Sequence, residues 1–107
     1  MDKFKKKGFI KLHKQILDWQ WYQDINTKVV FIHCLLNAAF YDKKWNNLDI
    51  KRGSFPTSIK KLSFELNLSE QNIRTALNKL KSTNEITIQS TNKNTIINIV
   101  KYDIFHD

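Results

Sequence analysis

The apolar positions of this chain change period several times, and each change marks a new element. Leu12, Ile16 and Trp19 recur at i, i+4 and i+7, with Leu17 and Trp21 widening the same face, a spacing that predicts a short amphipathic helix. Asp24-Ile25-Asn26-Thr27 then offers capping oxygens before Val29 to Phe40, where apolar residues run almost all the way round a helix. Such a helix is expected at the centre of the fold. Its polar interruptions, Asn26, His33 and Asn37, share one narrow stripe, the expected wet edge.

Tyr41 to Ile50 has clustered Asp, Asn and Lys without a sustained period and is expected to be a loop with at most a short strand. Lys51-Arg52-Gly53 reads as a turn into Ser54-Phe55-Pro56. Pro56 excludes helix before it, and Thr57 or Ser58 can cap a new one whose buried stripe is Ile59, Leu62 and Leu66. After a break at Asn67-Leu68, Ser69 is a second N-cap with Glu70 in the first turn. Ile73, Ala76, Leu77 and Leu80 lie on one face, Lys79 and Lys81 complement the helix dipole, and Asn84 can take a left-handed stop beyond Ser82. The rest reads as a β-hairpin: Ile86-Thr87-Ile88-Gln89 and Thr95 to Val100 are β-branched runs around a turn centred on Asn92-Lys93. That turn sets Ser90 opposite Thr95, Ile88 opposite Ile97, Ile86 opposite Ile99 and Thr87 opposite Asn98.

Composition narrows the chemistry. A length of 107 residues is one domain's worth, and a net charge of +8 directs a small domain toward a polyanion. The single Cys34 cannot close an intrachain disulfide or supply a four-thiolate zinc site. His13, His33 and His106 have no metal-binding spacing, and Gly8 and Gly53 stand too far apart for a phosphate-cradling loop. No cofactor, metal or enzymatic activity is therefore expected. Lys3, Lys5, Lys6 and Lys7 make residues 1–8 a basic mobile arm, either solvating or phosphate-binding, ahead of one domain over residues 9–107. Nothing in the chain is apolar for long enough to serve as a signal or membrane span, so a cytoplasmic location without a membrane partner is expected.

Two capped helices across a tight break, followed by a hairpin, give the expected fold class: α+β, mainly helical, a winged helix-turn-helix with a C-terminal β-hairpin wing. Opposite the buried stripe of the second helix stand Gln71, Arg74, Thr75, Asn78 and Ser82, flanked by Asn72 and Lys79. Gln and Asn can bond adenine edges, Arg can bond guanine, Thr can meet a thymine methyl and Lys can neutralise phosphate. Lys60 and Lys61 flank this helix as candidate phosphate contacts. At the wing, Asn92, Lys93 and Asn94 either reach phosphate or minor groove or simply form a left-handed turn. Duplex DNA is the expected partner, with single strands as a second possibility through stacking on Trp19, Trp21 or Trp45, of which Trp45 has the most polar neighbours. Assembly into a homo-oligomer is the competing function, since Phe4, Phe9, Phe64 and Phe105 belong to none of the core stripes; a transcriptional regulator is a further alternative.

The strings Lys51-Arg52-Gly53-Ser54, Thr57-Ser58, Leu62, Leu66-Asn67-Leu68-Ser69, Arg74-Thr75-Ala76-Leu77, Leu80 and Asn84-Glu85-Ile86 together resemble the winged-helix domain of Gram-positive phage replication proteins of the DnaD-like and replisome-organiser type. Gly8-Phe9-Ile10-Lys11-Leu12 and Asp18-Trp19-Gln20-Trp21-Tyr22 are similar to their N-terminal start, so the resemblance covers most of the chain. It implies recognition of a phage or mobile-element replication origin in a bacterial host cell, and recruitment of a helicase or helicase loader. The chain departs from the pattern at Asn67 and Asn84, which stand where such domains often carry Gly, and Asn is the next best residue for a left-handed backbone. Such proteins usually continue into a C-terminal domain or tail for helicase or loader contacts, whereas this sequence stops at Asp107, as either a piece of a longer protein or a small stand-alone one, and the loader role is an expectation of the resemblance alone.

Overall fold

The computed structural model describes residues 8–106, so the proposed arm lies outside them apart from Gly8. The described chain is a compact α+β fold of four α-helices and two small antiparallel sheets. Its elements run α1 (Ile25–Asn37), β1 (Lys43–Trp45), β2 (Leu48–Ile50), β3 (Ser54–Thr57), α2 (Ile59–Leu66), α3 (Glu70–Ser82), β4 (Ile86–Ser90), β5 (Thr95–Ile99) and α4 (Tyr102–Phe105). No described helix is long and apolar enough to cross a membrane.

Each of the three long helices starts on a side-chain cap that relieves a free backbone N–H. Asp24 Oδ1 accepts from Thr27 N at 3.1 Å, Ser58 Oγ from Lys61 N at 3.0 Å and Ser69 Oγ from Asn72 N at 3.0 Å. Helix α2 stops at Asn67, and the chain leaves the α3 end through Asn84; both are left-handed, with φ of 54° and 62°. The β4–β5 register is the one the isoleucine pattern predicts, with Ile86 opposite Ile99, Ile88 opposite Ile97 and Ser90 opposite Thr95.

A single core joins these parts. Val30, Phe31, Cys34 and Leu35 of α1, Leu62 of α2, and Ile73, Ala76, Leu77 and Leu80 of α3 close over Phe55, Ile86, Ile97 and Ile99 of the sheet, with Tyr102 of α4. Phe105 packs against this cluster, which gives one of the unassigned phenylalanines a place; Phe9 and Phe64 are exposed, and Phe4 is outside the described residues.

Three expectations are corrected, and one segment left unassigned gains a structure. Leu12 to Trp21 is not a full helix: only a 3-10 turn at Lys14–Asp18 forms, after which Trp19 is extended at φ −70°, ψ 137°. The reason is tertiary, because the two tryptophans reach across to the α3–β4 turn: Trp19 Nε1 donates to Glu85 at 3.1 Å and Trp21 Nε1 to Thr83 at 2.9 Å. Helix α1 runs earlier than Val29 to Phe40, since Ala39 bridges to the β3 side: its N–H donates to Ser54 O at 2.9 Å, and its carbonyl accepts from Gly53 N at 2.7 Å. Tyr41 to Ile50 forms a true hairpin rather than a loop, turned by Asn46 and Asn47 with φ of 48° and 65°, the backbone that two-residue hairpins require. Ser54 to Thr57, to which the sequence reading assigned no element, is a strand that tolerates Pro56. It lies at the sheet's edge, in the order β3-β5-β4, where a missing N–H on the outer side leaves no ladder bond broken.

Candidate nucleic-acid interface

Helix α3 separates its two faces cleanly. Ile73, Ala76, Leu77 and Leu80 are buried, while Gln71, Asn72, Arg74, Thr75, Asn78 and Ser82 are all exposed. Within the outer face the contacts are loose. Gln71 Nε2 lies 3.4 Å from Thr75 Oγ1, and Arg74 pairs with Glu70 at 3.5 Å one helical turn back, with both side chains well solvated. A pair of that kind contributes only about 0.3–0.5 kcal/mol, so a stronger anionic ligand can displace it. Ser82 is less free, because its hydroxyl donates to Lys79 O at 2.6 Å in the last turn.

Lys79 belongs elsewhere than the outer face. Its ammonium donates to Asp24 Oδ2 at 2.6 Å and lies 5.7 Å from the Trp21 ring centroid, so it ties α3 to the capping residue of α1. The hydrogen bond from Lys79 is the largest influence holding the Asp24 carboxyl below its ordinary pKa, with the capping N–H of Thr27 adding to it. The structural use of Lys79 is tertiary, invisible to a count along one helix. Lys81 is the cation that such counting undervalued. It is exposed, stands on the flank of Arg74 and Asn78, and has no ion-pair partner among the described residues.

The sheet brings the other candidates toward one end. Thr57, the last residue of β3, is opposite Thr95, the first of β5, so the N-terminus of α2 with Ser58, Lys60 and Lys61 starts beside the base of the β4–β5 turn. Lys60 and Lys61 are exposed, as are Asn92 and Lys93 at the tip; Asn94 is half-buried. The turn is not closed by a left-handed asparagine. Thr91 closes it instead, its N–H donating to Asn94 O at 2.7 Å and its hydroxyl accepting from Asn94 N at 3.0 Å. The side chains of Asn92 and Lys93 are therefore not needed to set the backbone.

The remaining aromatic and titratable candidates scatter. Trp19 and Trp21 are anchored to the α3–β4 turn by their indole N–H groups, and Trp19 packs against Phe31 with ring centroids 5.0 Å apart. Trp45 is partly exposed beside the Asn46–Asn47 turn, on a hairpin that joins the Ser54 end of β3 rather than the Thr57 end. His13, His33 and His106 contact Ile104 O, Glu65 and Arg52 respectively, three separate places. Burial pushes the Cys34 thiol up to about 12. No group of three or more His, Cys, Asp or Glu among the described residues is arranged to hold a metal. Comparison of the chain with family models, curated proteins and solved structures found no match in any of the three.

Proposed function

We propose that this protein is a winged-helix DNA-binding domain that lays the outer face of α3 in the major groove of a duplex and steadies it with cations from α2 and the wing. The supporting arrangement is three core helices with a three-stranded sheet ordered β3-β5-β4, in which α2 and α3 lie between the first and second strands in sequence and β4–β5 forms the wing. The observation that carries the proposal is the exposed row Gln71, Arg74, Thr75 and Asn78. It stands opposite a fully packed stripe, on a chain of net charge +8, and the side-chain contacts it makes among the described residues are weak.

Gln71, Arg74, Thr75 and Asn78 read base edges, with Asn72 and Ser82 at the margins. Lys60, Lys61, Lys81 and Lys93 neutralise phosphates, and Asn92 and Asn94 border the wing contact. Origin recognition in phage or mobile-element replication, with a helicase or its loader as partner in a bacterial host, is the setting proposed from the resemblance of the sequence strings.

A salt titration of duplex binding tests this reading. Four to six phosphate contacts give log affinity a slope of about −4 to −5 against log salt. Arg74→Ala lowers affinity for a selected site by about 1–3 kcal/mol with little effect on random duplex, whereas Lys60→Ala weakens both alike. A flat salt response, or no binding at low salt, refutes the proposal.

A further inference from the structure

The elements proposed to meet DNA are almost free of negative charge. Helices α2 and α3 and the β4–β5 hairpin carry two acidic residues, Glu65 and Glu70. Glu65 lies 3.1 Å from His33 and is thereby turned toward α1. Glu70 stands in the first turn of α3, directly after the Ser69 cap, with its side chain 41% exposed and its carboxylate 3.5 Å from Arg74. Counting along the helical period, Glu70, Arg74 and Lys81 fall within about 40° of one another. One flank of the helix therefore changes sign along its length, from a carboxylate at the N-terminal end to the exposed Lys81 at the C-terminal end.

A carboxylate in the first turn complements the helix dipole, which gives Glu70 a structural use. The change of sign gives it a second. Phosphates repel a carboxylate, so the C-terminal end of this flank suits the backbone of a duplex and the N-terminal end does not. Resting on the DNA reading above, we propose that Glu70 is a specificity-determining residue that enters the major groove ahead of Arg74 and accepts a hydrogen bond from the N4 amino group of a cytosine. The N-terminal residues of a recognition helix are those that reach base edges. Among the donors of that groove, cytosine N4 has no acceptor beside it on its own base. Adenine N6 lies next to the N7 lone pair, which suits an amide such as that of Gln71 and opposes a second carboxylate oxygen.

The spacing sets where that cytosine lies. Four helical residues rise about 6 Å and successive base pairs about 3.4 Å, so it stands one or two base pairs from the guanine that Arg74 takes. In the free protein the two side chains hold each other loosely through a solvated pair. On the right site each exchanges this weak partner for a base edge. On other sequences Glu70 meets an acceptor, such as thymine O4 or guanine O6, and binding weakens. The carboxylate thus lowers affinity for random duplex, which the net charge of +8 alone would raise.

Selection of binding sites by the full chain from a random duplex pool tests this. The wild type is expected to enrich a site with a guanine position and, one or two base pairs away, a cytosine position. Arg74→Ala should relax the guanine position and Glu70→Gln the cytosine position, the latter toward adenine. For Glu70→Gln, the preference for the selected site over its cytosine-to-thymine variant should fall by about fivefold or more, the low end for one base contact, while affinity for random duplex rises. Glu70→Asp separates readout from the dipole role. It keeps the charge at the helix terminus but draws it back by one methylene, so it should retain the wild-type Tm and lose the cytosine preference. If either Glu70 variant selects cytosine as strongly as the wild type, or the wild-type site has no such position, the role of Glu70 is overturned while the DNA reading stands on its salt slope and on Arg74→Ala. Absence of salt-dependent binding by the wild type overturns both.

Discussion

Asp24 holds two structures together at once, and its replacement separates their contributions. Oδ1 caps α1 through Thr27 N at 3.1 Å, while Oδ2 accepts from Lys79 of α3 at 2.6 Å. Losing an N-cap costs about 1 kcal/mol. The ion pair has its lysine 40% exposed, so solvent screening limits it to about 0.5–1 kcal/mol. Asp24→Ala should therefore lose about 1.5–2 kcal/mol, or about 6–12 °C in Tm for a domain of this size. Asp24→Asn, which keeps a capping oxygen, should lose only the ion-pair share. Lys79→Met should lose about the same, and combining the last two should add little to either alone. The pH dependence has a definite sign. The folded carboxyl sits below its ordinary 3.8, so its contribution is fully present above about pH 5 and disappears as pH falls through 3.8 and then through the lowered folded value. Urea or thermal unfolding from pH 7 down to pH 3 should show the gap between wild type and Asp24→Asn closing at the acid end. A gap that stays constant over that range, or an Asp24→Asn variant as unstable as Asp24→Ala, would refute the double role. In DNA binding, Lys79→Met should leave the salt slope unchanged.

Other expected outcomes follow from single contacts. Gly53 has φ +83°, and a Cβ there would stand 2.9 Å from Tyr102 Cβ, so Gly53→Ala should destabilise by about 2–4 kcal/mol through backbone strain and overpacking; an unchanged denaturant midpoint would contradict this. With its pKa pushed up to about 12, the buried Cys34 thiol should resist a thiol-specific chromogenic reagent at pH 8 in the folded protein and react fully in denaturant; rapid labelling of folded protein would show the core open at α1. Lys93→Glu should leave Tm unchanged, because Thr91 closes the tip, and should weaken DNA binding, while Lys93→Ala should make the salt slope shallower by about one; unchanged affinity in both would confine the wing to a structural role.

Local chemistry was legible in the sequence wherever a residue acts on neighbours a few positions away. Asp24, Ser58 and Ser69 cap helices because their oxygens meet N–H groups three residues on, and Asn67 and Asn84 take the left-handed region that asparagine tolerates. The β4–β5 register followed from the alternating isoleucines, since a one-residue slip would turn all of them outward. The two faces of α3 followed from the helical period alone. The Asn46–Asn47 hairpin was written just as locally, in an asparagine pair suited to a tight turn, but the lysines and aspartates around it masked the signal.

What the tertiary structure decided involves partners far apart in the chain. Trp19 and Trp21 gave up helical backbone to reach Glu85 and Thr83, more than 60 residues away. Pro56 joined a strand because β5 arrives on the one side where its missing N–H does not matter. Lys79 turned toward Asp24 across a helix–helix contact. Apolar periodicity showed that α1 could be buried all round, yet only the packed fold shows which face the described residues cover and that Ile25, Val29 and Leu36 stand on the exposed one. Periodicity records what a side chain prefers; the supply of surfaces able to meet that preference is a property of the whole fold.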